Sequence, residues 1–303
     1  MNPPESVIIF GSKGFLGSYI SDAYDLNTQA YNCFRDTTGN LIVVGKDYKA
    51  KTYPYGLGSI RDIILEFNPR IVFNTIAMID FEFCEQNPKL AFHANADIPK
   101  TIAEATALAG SKMIQFSTDS VFEQTGNNFT EEDTPSPKSI YGISKLMGEN
   151  NVRIHNLNSL IIRTNFVGFH KTKKTLFNYF YENFMSMNIC KGYKNVKFNP
   201  LYIKDLVSGA KSMSELELRG IIHFCGTETI SKYEYGKKIL EQLNLPKSMI
   251  LAGSIGTDKF ERLKKRDLTL KSNFRENIYK SNYDIDLGIK DALTTAEEGN
   301  YGI

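Results

Sequence analysis

Apolar residues come in short unbroken runs along the first half of the chain, each followed by a stretch of helical periodicity. "SVIIFG" (6–11), "AYNCF" (30–34), "RIVFNTIA" (70–77), "KMIQFSTD" (112–119) and "SLIIRTNFVG" (159–168) read as strands. "GFLGSYISDAYD", "RDIILEF" (61–67) and "NPKLAFHANADIPKTIAEATALAG" (87–110) read as helices, the last with Pro88 early and Gly110 as its stop. Strands without polar alternation are covered on both faces, so the pattern predicts an α/β fold with a parallel sheet between helical layers. "NLIVVGKDYKAKTYPYGLG" (40–58) reads as a hairpin inserted before the third core strand. Beyond residue 168 the rhythm loosens, and "KTLFNYFYENFMSM" and "KYEYGKKILEQL" read as helices whose aromatic residues pack a core.

The first strand runs directly into "FGSKGFLGS", with Gly11, Gly14 and Gly17 three apart. The first glycine permits a tight turn, the second a close backbone approach to a pyrophosphate, and the third close packing of helix on sheet. Backbone N–H groups of Ser12, Lys13, Phe15 and Leu16 then face the anion at a helix N-terminus. A strand, this turn and a helix at the head of an alternating domain predict dinucleotide binding in a Rossmann-type doubly wound sheet. The expected division is a dinucleotide-binding domain over 1–168, with 200–227 contributing, and a smaller mixed α/β C-terminal substrate lobe over 169–303. The second strand ends in Arg35, where a basic residue accommodates a ribose 2′-phosphate and points to NADP(H). The neighbouring Asp36 keeps NAD(H) open.

Composition changes this picture little. Of 303 residues, 42% are apolar and 23% charged, an ordinary globular balance. The net charge of +2 gives no footprint for nucleic acid. Cys33, Cys84, Cys190 and Cys225 are scattered, as expected of reduced thiols in a cytoplasmic protein, and four dispersed histidines suggest no metal site. No 18-residue apolar run suggests a membrane span, and the N-terminus lacks the pattern of a signal peptide.

Three stretches place a tyrosine four residues before a lysine: Tyr141–Lys145, Tyr193–Lys197 and Tyr233–Lys237. On a helix such a pair shares one face. A phenol titrates near pKa ~10, so a neighbouring ammonium makes it a better proton donor. Spacing alone does not choose among the three.

The glycine turn, "NTIA", "FSTDSVF" and "YGISK" together resemble an extended short-chain dehydrogenase/reductase, most closely its dTDP-4-dehydrorhamnose reductase branch. The likeness continues through "NTIAMIDFEFCEQNPKLAFHAN", "FTEEDTPSPKSIYGISKLMGE", "FNPLYIKDL" and "GIIHFCGTETISKYEYG", nearly the full length. It selects Tyr141–Lys145, which follows "STD" at the family interval. Carried over, Thr118 hydrogen-bonds the substrate carbonyl, Tyr141 protonates it, and Lys145 holds the nicotinamide ribose and depresses the phenol's pKa. The resemblance adds Asn74, Ala77 and Asn95 to the cofactor site, and assigns Met78, Asp119, Ser120, Asn165, Phe166, Asn199 and Arg262 to the substrate.

What it implies is reduction of the 4-keto group of a 4-keto-6-deoxy sugar carried on a nucleotide diphosphate. Asp119 is followed by Ser120 rather than the glutamate of 4,6-dehydratases. No cysteine lies between Cys84 and Cys190 to serve an epimerase–reductase. Met78, Ile79, Ser120, Phe166 and Gly56 depart from the branch and alter the sugar pocket more than the catalytic trio. Related readings are a nucleotide-sugar dehydrogenase or epimerase, and a non-catalytic NADP-binding regulatory subunit. Relatives of this branch are often homodimers.

Overall fold

The computed structural model describes residues 6–24, 30–46, 48–122, 127–256, 267, 269–274 and 283–299. Its chain divides into two compact units: 1–121, 137–162 and 207–222 in the first, 122–136, 163–206 and 223–303 in the second. The chain thus crosses between them several times, where the sequence division set one boundary at 168 with residues 200–227 returning.

An eight-stranded sheet organises the first unit. Its strands are β1 (Val7–Phe10), β2 (Ala30–Arg35), β3 (Leu41–Gly45), β4 (Tyr48–Tyr53), β5 (Ile71–Asn74), β6 (Lys112–Thr118), β7 (Ser159–Thr164) and the later Gly220–His223. Their spatial order is Gly220–His223, β7, β6, β5, β1, β2, β3, β4. β2, β1, β5 and β6 pair in parallel. The stretch at 40–58 is the expected hairpin, with β3 antiparallel to both β2 and β4, so it extends the edge of the parallel core. All residues of β1, β5, β6 and β7 are buried, as their unbroken apolar runs require.

Helices form where the apolar spacing turns to three and four. α1 (Phe15–Tyr24) buries Leu16, Tyr19, Ile20 and Tyr24, and α2 (Leu57–Phe67) buries Ile60, Ile63 and Ile64. α2 stops at Asn68, a left-handed residue whose N–H returns to the Ile64 carbonyl. Short helices α3 (Phe81–Gln86) and α4 (Pro88–Phe92) precede α5 (Ile98–Ala109), which Gly110 ends in the left-handed region. α6 (Ile140–His155) starts at Ser139, whose hydroxyl accepts the Gly142 N–H.

Three elements depart from the sequence reading, the first being the expected strand 159–168, which ends at Thr164 while Phe166–Val167 pairs with Leu201–Tyr202. The expected strand 70–77 ends at Asn74, because the backbone from Thr75 to Asp80 leaves the sheet. The expected helix 87–110 is interrupted by a π-helical turn, His93–Asp97, which extra side-chain contacts around Asn95 stabilise.

In the second unit, pairs of short strands join Phe166–Val167 to Leu201–Tyr202, Cys190–Tyr193 to Ile250–Gly253, and Lys197–Phe198 to Ile230–Ser231. Helices Leu176–Met185 and Lys232–Gln242 bring Phe180, Phe184 and Tyr235 into one aromatic cluster. The four cysteines are buried. Among the described residues, no helix is long and apolar enough to cross a membrane.

Candidate active site

The glycine turn is built as its spacing predicts. Gly11 has φ +83°, and a Cβ there would lie 2.7 Å from the Thr75 hydroxyl. A Cβ on Gly17 would meet the Gly11 carbonyl oxygen at 2.2 Å, so helix α1 packs against the turn only because that side chain is absent. The Gly14 N–H donates to the Gly11 carbonyl (2.8 Å), and the Gly11 N–H donates to Cys33 at the end of β2 (2.9 Å). Thr75 closes the other side, its hydroxyl donating to the Phe10 carbonyl (2.7 Å). This bare-backbone cradle before α1 fits a dinucleotide pyrophosphate.

Arg35 is exposed at the end of β2, its guanidinium 4.5 Å over the Tyr55 ring and its Nε donating to the Gly39 carbonyl (3.3 Å). Asp36 turns elsewhere. Its carboxylate accepts from the Thr38 N–H, the Thr38 hydroxyl and the Asn40 N–H, bonds that hold its pKa below the usual carboxylate range. Its carboxylate is thus engaged within the β2–β3 turn.

At the far end of β6, Thr118 is buried and its hydroxyl donates to the Asp119 carboxylate (3.0 Å) while accepting the Ser120 N–H (3.1 Å). The Ser120 hydroxyl also donates to Asp119, at 3.2 Å. The phenol of Tyr141, on the first turn of α6, is near enough to the Thr118 hydroxyl to be pulled down by it. One turn further on, Lys145 is buried and donates to the Phe116 carbonyl of β6 (2.7 Å). The expected trio is therefore gathered against the end of β6.

Burial raises the Tyr141 pKa above its ordinary value, the Thr118 hydrogen bond opposes that, and Asp119 and Cys84 add to it. The downward pull on the phenol comes from Thr118, while the Lys145 ammonium is directed to Phe116. Burial pushes Lys145 down to about 8, partly offset by the Glu149 carboxylate one turn beyond it. Cys84, which the sequence reading set aside, acts on the phenol, yet burial holds its thiol at about 11.

Several candidates turn out to brace the site. The Asn95 amide is buried and closes a clasp, accepting the Met78 N–H (2.9 Å) and donating to the Met78 carbonyl and the Ser144 hydroxyl (3.0 Å each). Ser144 in turn donates to the Tyr141 carbonyl (2.9 Å). Asn95 thus acts through Met78 and the catalytic helix. The Asn74 amide is likewise engaged, donating to Gln115 (2.7 Å) and accepting the Ile76 N–H (3.1 Å). Ala77 and Ile79 are exposed and Met78 is half-buried.

Sequence reasoning missed four residues here. Gly142 and Gly148 let α6 approach its neighbours: a Cβ would lie 2.4 Å from the Ser120 carbonyl oxygen in the first case and 2.1 Å from that of Asn95 in the second. Glu85 accepts the Ile140 N–H (2.6 Å) at the start of α6, and Glu149 accepts the Ser117 hydroxyl (2.5 Å). Glu149 had a legible signal, since it continues the Tyr141–Lys145 face by one more turn.

The remaining substrate candidates belong to the second unit. Asn165 accepts the Leu201 N–H through its carbonyl, and Phe166 pairs with Leu201 in a short strand. The Asn199 amide pairs with the backbone of Leu270, donating at 2.7 Å and accepting at 2.9 Å. Its side chain therefore ties two segments together. Arg262 lies outside the described residues.

The family model of the RmlD substrate binding domain matches residues 5–274. Methionine adenosyltransferase 2 subunit beta from Rattus norvegicus is 27% identical over 258 residues, 81% of this chain and 74% of that protein. A crystal structure of dTDP-4-dehydrorhamnose reductase from Bacillus anthracis in complex with NADP superposes with a TM-score of 0.81 at 23% identity, covering 96% of this chain and 99% of that one. A structure described as a hypothetical dTDP-4-dehydrorhamnose reductase from Sulfolobus tokodaii gives a TM-score of 0.77 at 27% identity, covering 93% and 98%.

Proposed function

This chain belongs to the RmlD substrate binding domain family within the extended short-chain dehydrogenases/reductases, and we propose that it reduces the 4-keto group of a 4-keto-6-deoxy sugar carried on a nucleotide diphosphate, with NADP(H) as cofactor. The observation that carries this reading is the gathering of Thr118, the Tyr141 phenol that feels its hydroxyl, and the buried Lys145 at the end of the strand two places from the glycine turn.

A nicotinamide held at the glycine turn would supply the hydride. Everything else falls to side chains of this chain. Thr118 directs its hydroxyl at the substrate carbonyl in place of Asp119, stabilising the charge that grows on that oxygen. Tyr141, kept protonated by burial, donates its proton to the same oxygen. Lys145 presents a cation below about pH 8 that steadies the phenolate left behind and the nicotinamide ribose. The Asn95–Ser144 clasp fixes the helix that carries both, so neither reorganises during the step. Recognition of the nucleotide diphosphate by Asn165 and Arg262 extends this reading from the resemblance.

Reduction is tested by the fall of reduced-nicotinamide absorbance on mixing the protein and NADPH with a panel of 4-keto-6-deoxy nucleotide sugars. Substrate-dependent oxidation is the expected result. A second reading, a regulatory subunit of another enzyme, draws support from the likeness to methionine adenosyltransferase 2 subunit beta. Tight NADPH binding with no turnover on any sugar of the panel is the outcome that favours it.

A further inference from the structure

Tyr55 has no place in the reading so far, yet the structure surrounds it with contacts. It follows the β3–β4 hairpin, is 41% exposed, and carries the Arg35 guanidinium on its face at 4.5 Å. Its hydroxyl lies 3.4 Å from His93 Nε2 in the π-helical turn, with the two rings edge to face at 6.4 Å. The other ring nitrogen of His93 is 3.7 Å from the Asp97 carboxylate. Tyr55 thus bridges the exposed arginine at the end of β2 and the π-helical turn.

That arginine is close to the dinucleotide turn. The N–H groups of Gly11 and Ser12 both donate to Cys33, two residues before Arg35 (2.9 and 3.3 Å). Its Nε is tied to Gly39, a residue with φ +95°. With Nε held and one face stacked, the guanidinium plane is fixed, and its two terminal amino groups form the fork that recognises a phosphate. The competing carboxylate of Asp36 is bound within its own turn. An unsupported exposed arginine loses side-chain freedom on binding an anion, and a stacked one has already lost it.

We propose that Tyr55 determines cofactor specificity: backed by His93, its ring holds Arg35 in position for the adenosine 2′-phosphate, so that the ring favours NADPH without strengthening NADH. This rests on the NADP(H) reading above, with Arg35 as its phosphate ligand. The alternative use of an exposed ring at this place is to stack on the adenine, which both cofactors share.

Fluorescence titration of full-length protein with NADPH and NADH separates the cases, using Arg35→Ala, Tyr55→Leu and Tyr55→Phe. Wild type is expected to prefer NADPH, and Arg35→Ala to lose that preference. Tyr55→Leu should weaken NADPH by about two- to fivefold, the worth of an exposed cation–π contact, and leave NADH unchanged. Tyr55→Phe keeps the ring and loses the His93 contact, so its loss should be smaller and again confined to NADPH. Equal weakening of both cofactors by Tyr55→Leu overturns the inference in favour of adenine stacking, and no change in either overturns it outright. Preference intact in Arg35→Ala defeats the NADP(H) reading itself, and this inference with it.

Discussion

Two helices of this protein carry a tyrosine four residues before a lysine, and they could not be more differently placed. On α6, the Tyr141 phenol feels the Thr118 hydroxyl and Lys145 is buried against the Phe116 carbonyl. On helix Lys232–Gln242, Tyr233 and Lys237 are both part-exposed, and the Tyr233 ring carries Lys194 at 5.1 Å. The Ser231 N–H and hydroxyl hold the capping Glu234 below the usual carboxylate range, with Lys197 and then Lys237 adding to them. The third match is not helical at all, since Tyr193 ends one strand and Lys197 begins another. Among the described residues, identical spacing therefore meets both a sheet hydroxyl and a buried lysine only at Tyr141–Lys145.

The sharpest way to break this contrast is to delete one hydroxyl on each helix. Tyr141→Phe is expected to lower kcat by about 10²–10⁴-fold, the usual worth of a positioned acid. Tyr233→Phe should leave it unchanged, and equal losses would remove the distinction.

Next in size is the lysine. An amine whose pKa is pushed down to about 8 is charged below that pH and neutral above it, so kcat/KM should fall as pH rises through about 8. Lys145→Met should cost about 10²-fold, the scale of losing one electrostatic stabiliser, and flatten that alkaline limb. A limb that survives the substitution belongs to another group.

The smallest effect concerns packing. Gly148→Ala drives a Cβ to 2.1 Å from the rigid Asn95 carbonyl oxygen, and should destabilise by about 3 kcal/mol, the upper range for overpacking. Gly236→Ala, on the other helix, meets the side chains of Phe180 and Ile250 at 2.6 Å and should cost about 1 kcal/mol. Urea denaturation of both variants measures the difference.

Much of this architecture is legible in the sequence, because periodicity and glycine spacing are local. The unbroken runs at Val7–Phe10 and Ile71–Asn74 announce buried strands, and Gly11 and Gly17 announce the turn. What was not legible depends on partners distant in the chain. Asn74 and Asn95 look like ligands by position, but Gln115, Met78 and Ser144 take their amides. Asn199 is taken by Leu270, 71 residues away. The upward shift of the Tyr141 phenol arises from burial and from Asp119 and Cys84, which no motif spacing encodes.

The central claim is hydride delivery to a sugar carbonyl, and an isotopic label reads that step without inference from rates. The protein is incubated with NADPH deuterated at the transferred position and a 4-keto-6-deoxy nucleotide sugar, and the product is analysed by mass spectrometry and NMR. The account predicts a sugar alcohol carrying one deuterium at C4, formed by wild type and not by Tyr141→Phe over the same interval. Recovery of the unreduced sugar with wild type, or of product without deuterium at C4, would contradict it.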